Sequence, residues 1–368
     1  MRPGNETELA EAVRGAMGPL RLRGGGTRPV GRPVTGSVLE VGGLAGIALY
    51  EPGALTVVAG AGTPLADLQG VLADEGQRLS FEPMDHRGLT GEGGAPTLGG
   101  MVAANASGPR QVVAGGCRDS LIGLRFVDGQ GQVVRNGGRV MKNVTGYDLV
   151  KLMAGSWGTL GVITEVALKL LPEPEAAATL VYTGLTPERA VAAMAAALGS
   201  PYEVNGAAHL PDGRTVLRLE GFAASVAYRD GELAGALAAY GTPGRLDAEE
   251  TAALWRDVRD VAAFHGRAGD VWRVSCRPSE APDLAARAGG CALMDRGGGI
   301  LWLLLPEGTD LRARLDPFAG HATLIRASEA TRRALPPFPP EPAPVAALAR
   351  GLRQRFDPRG ILNPGLMD

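Results

Sequence analysis

Cysteine, histidine, net charge and long apolar runs are all scarce in this chain, and each scarcity closes off a line of chemistry. Only three cysteines occur in 368 residues, Cys117, Cys276 and Cys291, and none falls in a CxxC pair. That spacing argues against a zinc site or an iron–sulfur cluster held by this chain alone. An odd, sparse set also argues against a secreted disulfide scaffold. The four histidines, His86, His209, His265 and His321, stand apart with no two at metal-ligand spacing, so no metal is expected. The formal net charge is -2, which leaves no electrostatic case for a nucleic-acid partner. No apolar run approaches the ~18 residues of a membrane span, and Ile300–Leu305 is only strand-sized. The opening MRPGNETELAEAV has no apolar signal core. A soluble cytoplasmic chain is expected, reaching the inner membrane only peripherally through partners.

Glycine is what the chain has in excess: 55 residues, about twice the usual ~7% share, and clustered rather than periodic. Clustered glycine marks backbone that turns sharply or comes close to a ligand. Gly60-Ala61-Gly62, between a strand and a helix, is half of a dinucleotide fingerprint. It lacks the third glycine and a well-placed acidic residue, so a tight strand-to-helix turn is the preferred reading. Arg23-Gly24-Gly25-Gly26-Thr27-Arg28 follows a strand directly. Successive glycines let consecutive backbone N–H groups point into one concavity, which suits a pyrophosphate, and Arg23 and Arg28 offset its charge. Pro29 and Pro33 prevent a helix there, so this is a loop cradle or else a plain surface loop. Thr97–Gly108 (TLGGMVAANASG) is nearly unbroken small residues. Met101–Ala104 forms a helical turn whose start, at Gly99-Gly100, favours phosphate. The alternative is a close-packed core helix.

Strands are expected at Leu20–Arg23, Val38–Val41, Leu55–Ala59, Leu121–Val127, Gln132–Arg135 and Gly161–Leu171. Helices are expected over Glu6–Met17 and from Thr63-Pro64 to Ala73, with Thr63 as N-cap and Pro64 at the first helical position. Pro172-Glu173-Pro174 is a domain boundary. Beyond it, helices (Glu188–Leu198, Ala223–Ala239, Ala248–Phe264, Ala281–Ala288) interleave with strands (Tyr202–Ala208, Thr215–Glu220, Val271–Cys276, Ala292–Met294, Ile300–Leu305). That order suggests an α+β sandwich on an antiparallel sheet. Leu335–Pro344 is a stiff proline-rich linker, and Val345–Phe356 is a last helix before the tail.

Four segments in order carry a resemblance: RGGGT at 23–27, TLGGMVAANASG at 97–108, VMKNVTGYDLVKLMAGSWGTLGVITE at 140–165 and FDPRGILNPG at 356–365. They resemble the FAD-linked oxidases of the vanillyl-alcohol-oxidase, or PCMH-type, superfamily, and among these the flavin-binding subunits of bacterial glycolate oxidases. The resemblance implies an α+β fold. A PCMH-type FAD-binding domain of two α+β subdomains would cover 1–172, and a smaller α+β cap domain with an antiparallel sheet 173–345. Residues 346–368 would return to the FAD domain. It further implies that Arg23, Gly24, Gly25, Gly26, Thr27, Gly99 and Gly100 hold the pyrophosphate. Pro83, Thr97, Asn105, Ser107 and Gly108 would line the ribityl and isoalloxazine portion, and Gly161, Val162 and Ile163 would contact FAD by backbone. No histidine or cysteine lies in the 23–28 loop, where covalently flavinylated relatives carry one, so FAD is expected to be non-covalent.

The resemblance also exposes a gap. Oxidising a 2-hydroxy acid needs an arginine for the carboxylate and a base for the hydroxyl proton. Related dehydrogenases carry an HxGDGNxH stretch and a His-Glu-His-type segment; this chain has neither. The remaining candidates are Lys142, Tyr147, Arg273 and His86, with Asn143 and Asp148 in the same loop as Lys142. The expected function is therefore FAD-binding subunit of a glycolate (2-hydroxy acid) oxidase or dehydrogenase complex. Its partners would be a sister FAD subunit, which does most of the substrate oxidation, and an iron–sulfur subunit. The alternatives are a self-sufficient FAD-dependent D-2-hydroxy-acid dehydrogenase and a flavin-free scaffold subunit.

Overall fold

The computed structural model describes residues 1–138 and 146–368. Lys142 and Asn143 lie outside the described residues. Mixed helices and strands are organised by two large antiparallel sheets, a short parallel pair and a short antiparallel pair (Gln77–Arg78 with Leu171–Pro172).

The first sheet has five strands in the order Ile47–Glu51, Thr56–Gly60, Val162–Lys169, Leu121–Val127, Val133–Gly137. Its central strand reads VITEVALK and is buried at six of eight positions, as a β-branched run covered on both faces should be. One face packs on the helices Leu65–Asp74 and Leu98–Ala103 through Leu68, Leu72, Leu98, Met101 and Val102, all essentially without exposure. The other face receives Leu9 and Val13 of the helix Glu6–Arg14.

Beside this sheet, Leu20–Arg23 pairs in parallel with Ser37–Glu40. The C-terminal tail returns to it: the Leu20 amide donates to Ile361 O (2.7 Å) and the Asn363 amide to Leu20 O (3.0 Å). The triple-glycine loop leaves the end of that strand.

The second sheet has eight strands, ordered Gly244–Leu246, Ala176–Tyr182, Thr215–Gly221, Gly206–His209, Cys291–Asp295, Ile300–Leu305, Asp270–Cys276, Gly320–Arg326. The helices Pro187–Leu198, Ala223–Ala236, Ala281–Ala288 and Leu311–Leu315 cover one face, over Leu217, Leu219, Trp272, Leu301 and Leu303. Alternation turns the neighbouring residues the other way. Val216, Val271, Trp302 and Leu304 thus share a cluster with Val30, Met84 and Leu89 of the first half. Arg218, Glu220 and Arg273 lie on that same inward face.

Several expectations change in detail. Thr63 does not cap the following helix, which runs Leu65–Asp74 with Pro64 at the N-cap and no side-chain cap. Its hydroxyl instead accepts from the Gly46 amide (3.0 Å), tying two turns together. Strands at Ala176–Tyr182 and Gly320–Arg326 are additional to those expected. The proline-rich segment is pinned rather than free. Arg312 donates to Pro336 O (2.6 Å) and Pro337 O (2.9 Å), and Phe338 meets Trp157 edge-on at 5.5 Å. No helix among the described residues is long and apolar enough to cross a membrane.

Candidate functional site: a glycine-walled cleft

A cleft with an empty volume of ≈ 860 Å³ opens between the Leu20–Arg23 strand, the five-stranded sheet and the C-terminal tail. One wall is the loop Arg23–Arg28, another is Thr97, Gly99 and Gly100, and a third is Gly161, Val162 and Ile163. Eleven of the fifteen residues expected to bind the cofactor therefore meet around one space: those from 23 to 27, Thr97, Gly99, Gly100, and those from 161 to 163. Trp157, Gly158, Asn363 and Leu366 complete it, and sequence reasoning had not assigned them.

Close approach explains the glycines. A Cβ on Gly25 would overlap the Ala95 carbonyl oxygen, and one on Gly24 would sit 2.5 Å from Thr97 Oγ1. A Cβ on Gly99 would lie 2.7 Å from Ala61 Cβ, and one on Gly161 2.6 Å from Phe126 Cδ2. Gly26 has φ +70°, a left-handed conformation natural to glycine. Among the described residues no protein acceptor takes the amides of Gly24, Gly25, Gly26 or Thr27. Four free donors in succession on a turning backbone make an anion nest. The 97–103 segment behaves differently. Its amides are already engaged: Leu98 N with Thr63 O (2.9 Å), Gly99 N with Ala61 O (2.7 Å) and Gly100 N with Thr97 Oγ1 (3.3 Å). Gly99 and Gly100 therefore give closeness and not hydrogen bonds.

The structure does not bring Pro83, Asn105, Ser107 or Gly108 to the lining of this cleft. Asn105 (φ +48°) accepts from Arg118 N through Oδ1 (3.0 Å), and Ser107 Oγ accepts from Cys117 N (2.9 Å). Gly108 N donates to Phe81 O (2.8 Å), and Pro83 is buried beside Glu82 and Arg110. These residues lock the turn after the small-residue helix. Asn363 is better placed than the sequence suggested: its Oδ1 accepts from Leu22 N (2.8 Å) and its Nδ2 donates to Trp157 O (2.9 Å), joining two walls.

A row of cations leads from the cleft toward the second sheet. Arg28 lines the cleft, and burial lowers its guanidinium pKa to about 10. Its Nε donates to His86 Nδ1 (3.1 Å), and an Nη donates to Met84 O (3.2 Å). His86 Nδ1 thus sits between the Arg28 Nε donor and the Met84 carbonyl oxygen (3.3 Å), and which of the two it bonds depends on the tautomer. Burial, reinforced by Arg28 and Arg273, drives its pKa down to about 3, so it is neutral. The Arg273 side chain makes no hydrogen bond or ion pair with any described residue; burial and the nearby Arg296 lower its pKa to about 10. Arg296 donates to Ser107 O (2.9 Å), and burial holds the neighbouring Asp295 up at about 6. Tyr147 is 89% exposed, and Asp148 caps a short helix by accepting from Lys151 N (3.1 Å). Cys117 is buried, which pushes its thiol to about 12 and leaves it inert. No cluster of metal-ligating side chains occurs among the described residues.

A family model described as an FAD binding domain matches residues 1–137. Glycolate oxidase subunit GlcE of Escherichia coli (strain K12) is 36% identical over 354 residues, covering 95% of this chain and 92% of that protein. The chain belongs to the GlcE family. Glycolate oxidase subunit GlcD of Bacillus subtilis (strain 168) shares 46% identity with it over 85 residues, 23% of the chain and 18% of that subunit. Among solved structures, an alkyldihydroxyacetonephosphate synthase superposes with a TM-score of 0.73 at 17% identity, over 99% of this chain and 76% of that one. That likeness concerns the fold alone. FAD is the cofactor of this GlcE-family chain. A pyrophosphate suits the four free amides, and two arginines stand at the loop's ends.

Proposed function

We propose that this chain is the FAD-carrying subunit of a 2-hydroxy-acid oxidase complex, acting on glycolate or a close analogue, with the substrate's hydroxyl proton removed on a partner flavin subunit. The observation that carries this is the state of His86. Its Nδ1 is engaged by Arg28 and the Met84 carbonyl, and burial together with Arg28 and Arg273 opposes its protonation, so it is a poor base at neutral pH. The exposed Tyr147 does not reach a buried substrate either.

What this chain does is bind and orient. The amides of Gly24 to Thr27 hold the pyrophosphate, and Arg23 and Arg28 offset its charge. Backbone at Gly161, Val162 and Ile163 fixes the rest, with Thr97, Gly99 and Gly100 admitting it closely. With no histidine or cysteine in the 23–28 loop, the cofactor is held non-covalently. When bound, FAD supplies two-electron redox chemistry. Residues 1–172 and 346–368 form the flavin-holding unit, and 173–345 the cap. Electrons leave through an iron–sulfur subunit, and the complex is cytoplasmic with peripheral attachment at the inner membrane.

Purified alone, the chain is expected to be yellow and to show no flavin bleaching when glycolate is added without oxygen. Addition of the GlcD-type subunit restores bleaching. Full glycolate turnover by the lone chain would overturn this reading.

Arg273 is the carboxylate anchor. A half-buried guanidinium with no protein partner is set for a bidentate anion. The non-reacting analogue oxalate should perturb the flavin spectrum of the wild type, and Arg273→Leu should raise its dissociation constant about thirtyfold. That corresponds to about 2 kcal/mol, the low end for losing one partner of a buried charge pair. Oxalate binding that is unchanged in Arg273→Leu removes this assignment.

A further inference from the structure

The helix Ala343–Phe356 is fourteen residues long, about 21 Å at 1.5 Å per residue, and none of its residues is buried. Most helical stability in proteins comes from a packed apolar face. Here Val345, Leu348 and Leu352 recur at i, i+3 and i+7 and are 48%, 71% and 38% exposed. That spacing is the narrow seam of a helix pair rather than the broad face of a core helix. The helix is nonetheless held in place. Phe356 packs tilted against Phe126 (5.8 Å), Gly129 N donates to Phe356 O (2.8 Å) and Arg353 pairs with Asp368 (2.9 Å).

Charge indicates what fits. The helix carries Arg350, Arg353 and Arg355 and no acidic residue. Arg355 lies one turn beyond Leu352, continues the seam, and forms no ion pair among the described residues. The helix dipole favours basic residues in the last turn, but it gives no reason for an exposed leucine at 348. A membrane-lying helix would need a wider apolar face with aromatic residues; this one turns its single aromatic inward.

We propose that Ala343–Phe356 is the docking seam for an acidic amphipathic helix of the partner flavin subunit, packed on Val345, Leu348 and Leu352 with a carboxylate opposite Arg355. This rests on the subunit reading above. The test is the affinity between this chain, FAD-loaded, and the GlcD-type subunit of the same organism, measured by sedimentation. Leu348→Asp is expected to raise Kd at least thirtyfold. Arg355→Glu should raise it about tenfold, with a weaker salt dependence. Both variants should keep wild-type FAD content and melting temperature, because both side chains lie outside the core. A complex formed with wild-type affinity by both variants overturns the seam and leaves the subunit reading standing. Self-association of the wild type, or its binding to phosphatidylglycerol vesicles, abolished by Leu348→Asp while the complex persists, assigns the helix elsewhere and also overturns it. Absence of any complex between the wild-type chains overturns the subunit reading and the seam together.

Discussion

Gly25→Ala is expected to give a folded, nearly colourless protein whose affinity for FAD has fallen about a hundredfold or more. The added methyl group would overlap the Ala95 carbonyl oxygen, a backbone atom that cannot rotate away. The loop must move, and four adjacent free amides move with it. A hundredfold loss is about 2.8 kcal/mol at about 1.4 kcal/mol per tenfold. That is a modest demand for misaligning several charge-assisted hydrogen bonds at once. Gly26→Ala is the control. Its Cβ would meet only the flexible end of Arg23, 2.9 Å from Nε, so the cost is mainly that of a left-handed alanine, about 1 kcal/mol. Flavin absorbance after gel filtration and titration of the apoprotein with FAD measure both. If Gly25→Ala keeps wild-type affinity, the triple-glycine loop is not the pyrophosphate cradle.

The second large effect concerns the joint between the two sheets. Glu220 accepts from Arg110 (2.7 and 2.8 Å), from Arg78 (3.2 Å twice) and from Asn205 Nδ2 (2.8 Å). Glu82 accepts from Arg218 (2.7 and 2.8 Å) and from the Arg110 amide (2.7 Å). Arg218 also stacks on Trp255, 4.6 Å from the ring centroid. Residues 78, 82 and 110 belong to the first half, 218 and 220 to the eight-stranded sheet, and 205 to the segment just before its strand Gly206–His209. Glu220→Ala removes the main partner of two largely buried guanidinium groups, leaving Arg110 only Glu82 (3.2 Å) and Arg78 only Glu173 (3.5 Å), and should cost about 3 kcal/mol in urea unfolding. A loss under about 1 kcal/mol would mean that water already screens the network.

The same group sets the acid limit. Burial alone would raise the Glu220 carboxyl, but hydrogen bonds from Arg110 and the charges of Arg218, Arg110 and Arg78 hold it well below its usual range. Glu82 is lowered for the same kind of reason. A depressed carboxyl stabilises fully above its unfolded pKa of about 4.3 and loses that stabilisation as pH falls toward the folded value. The wild type should therefore lose stability below about pH 4, and Glu220→Gln should flatten that decline.

What could be read from the sequence follows how local each cause is. Ile300–Leu305 emerges with the bounds expected of it, because an unbroken apolar run between Gly299 and Pro306 has one outcome at the centre of a two-sided sheet. The triple-glycine loop was legible as a loop, but the sequence left it open between a cradle and a plain surface loop; the crowding at Gly24 and Gly25 comes from residues some seventy positions away. Ala176–Tyr182 was missed because its three opening alanines carry no strand signal; pairing with Thr215–Gly221 decides it. The alternation of small residues in 97–108 does not say which of them face a ligand. That is why Asn105, Ser107 and Gly108 were expected in the cleft and are found bracing a turn. The hydrogen bond from Arg28 to His86 spans 58 positions, and no local pattern encodes it.

The bond from the Leu22 amide to the side chain of Asn363 crosses 341 positions, and it closes a wall of the cleft that the glycine loop begins. During synthesis the cradle leaves the ribosome early, and the residue that braces it leaves some three hundred and forty codons later. A chain lacking Asn363 would carry the whole glycine loop and the whole second sheet, yet the Leu22 amide would have lost its acceptor and the cleft one of its braces.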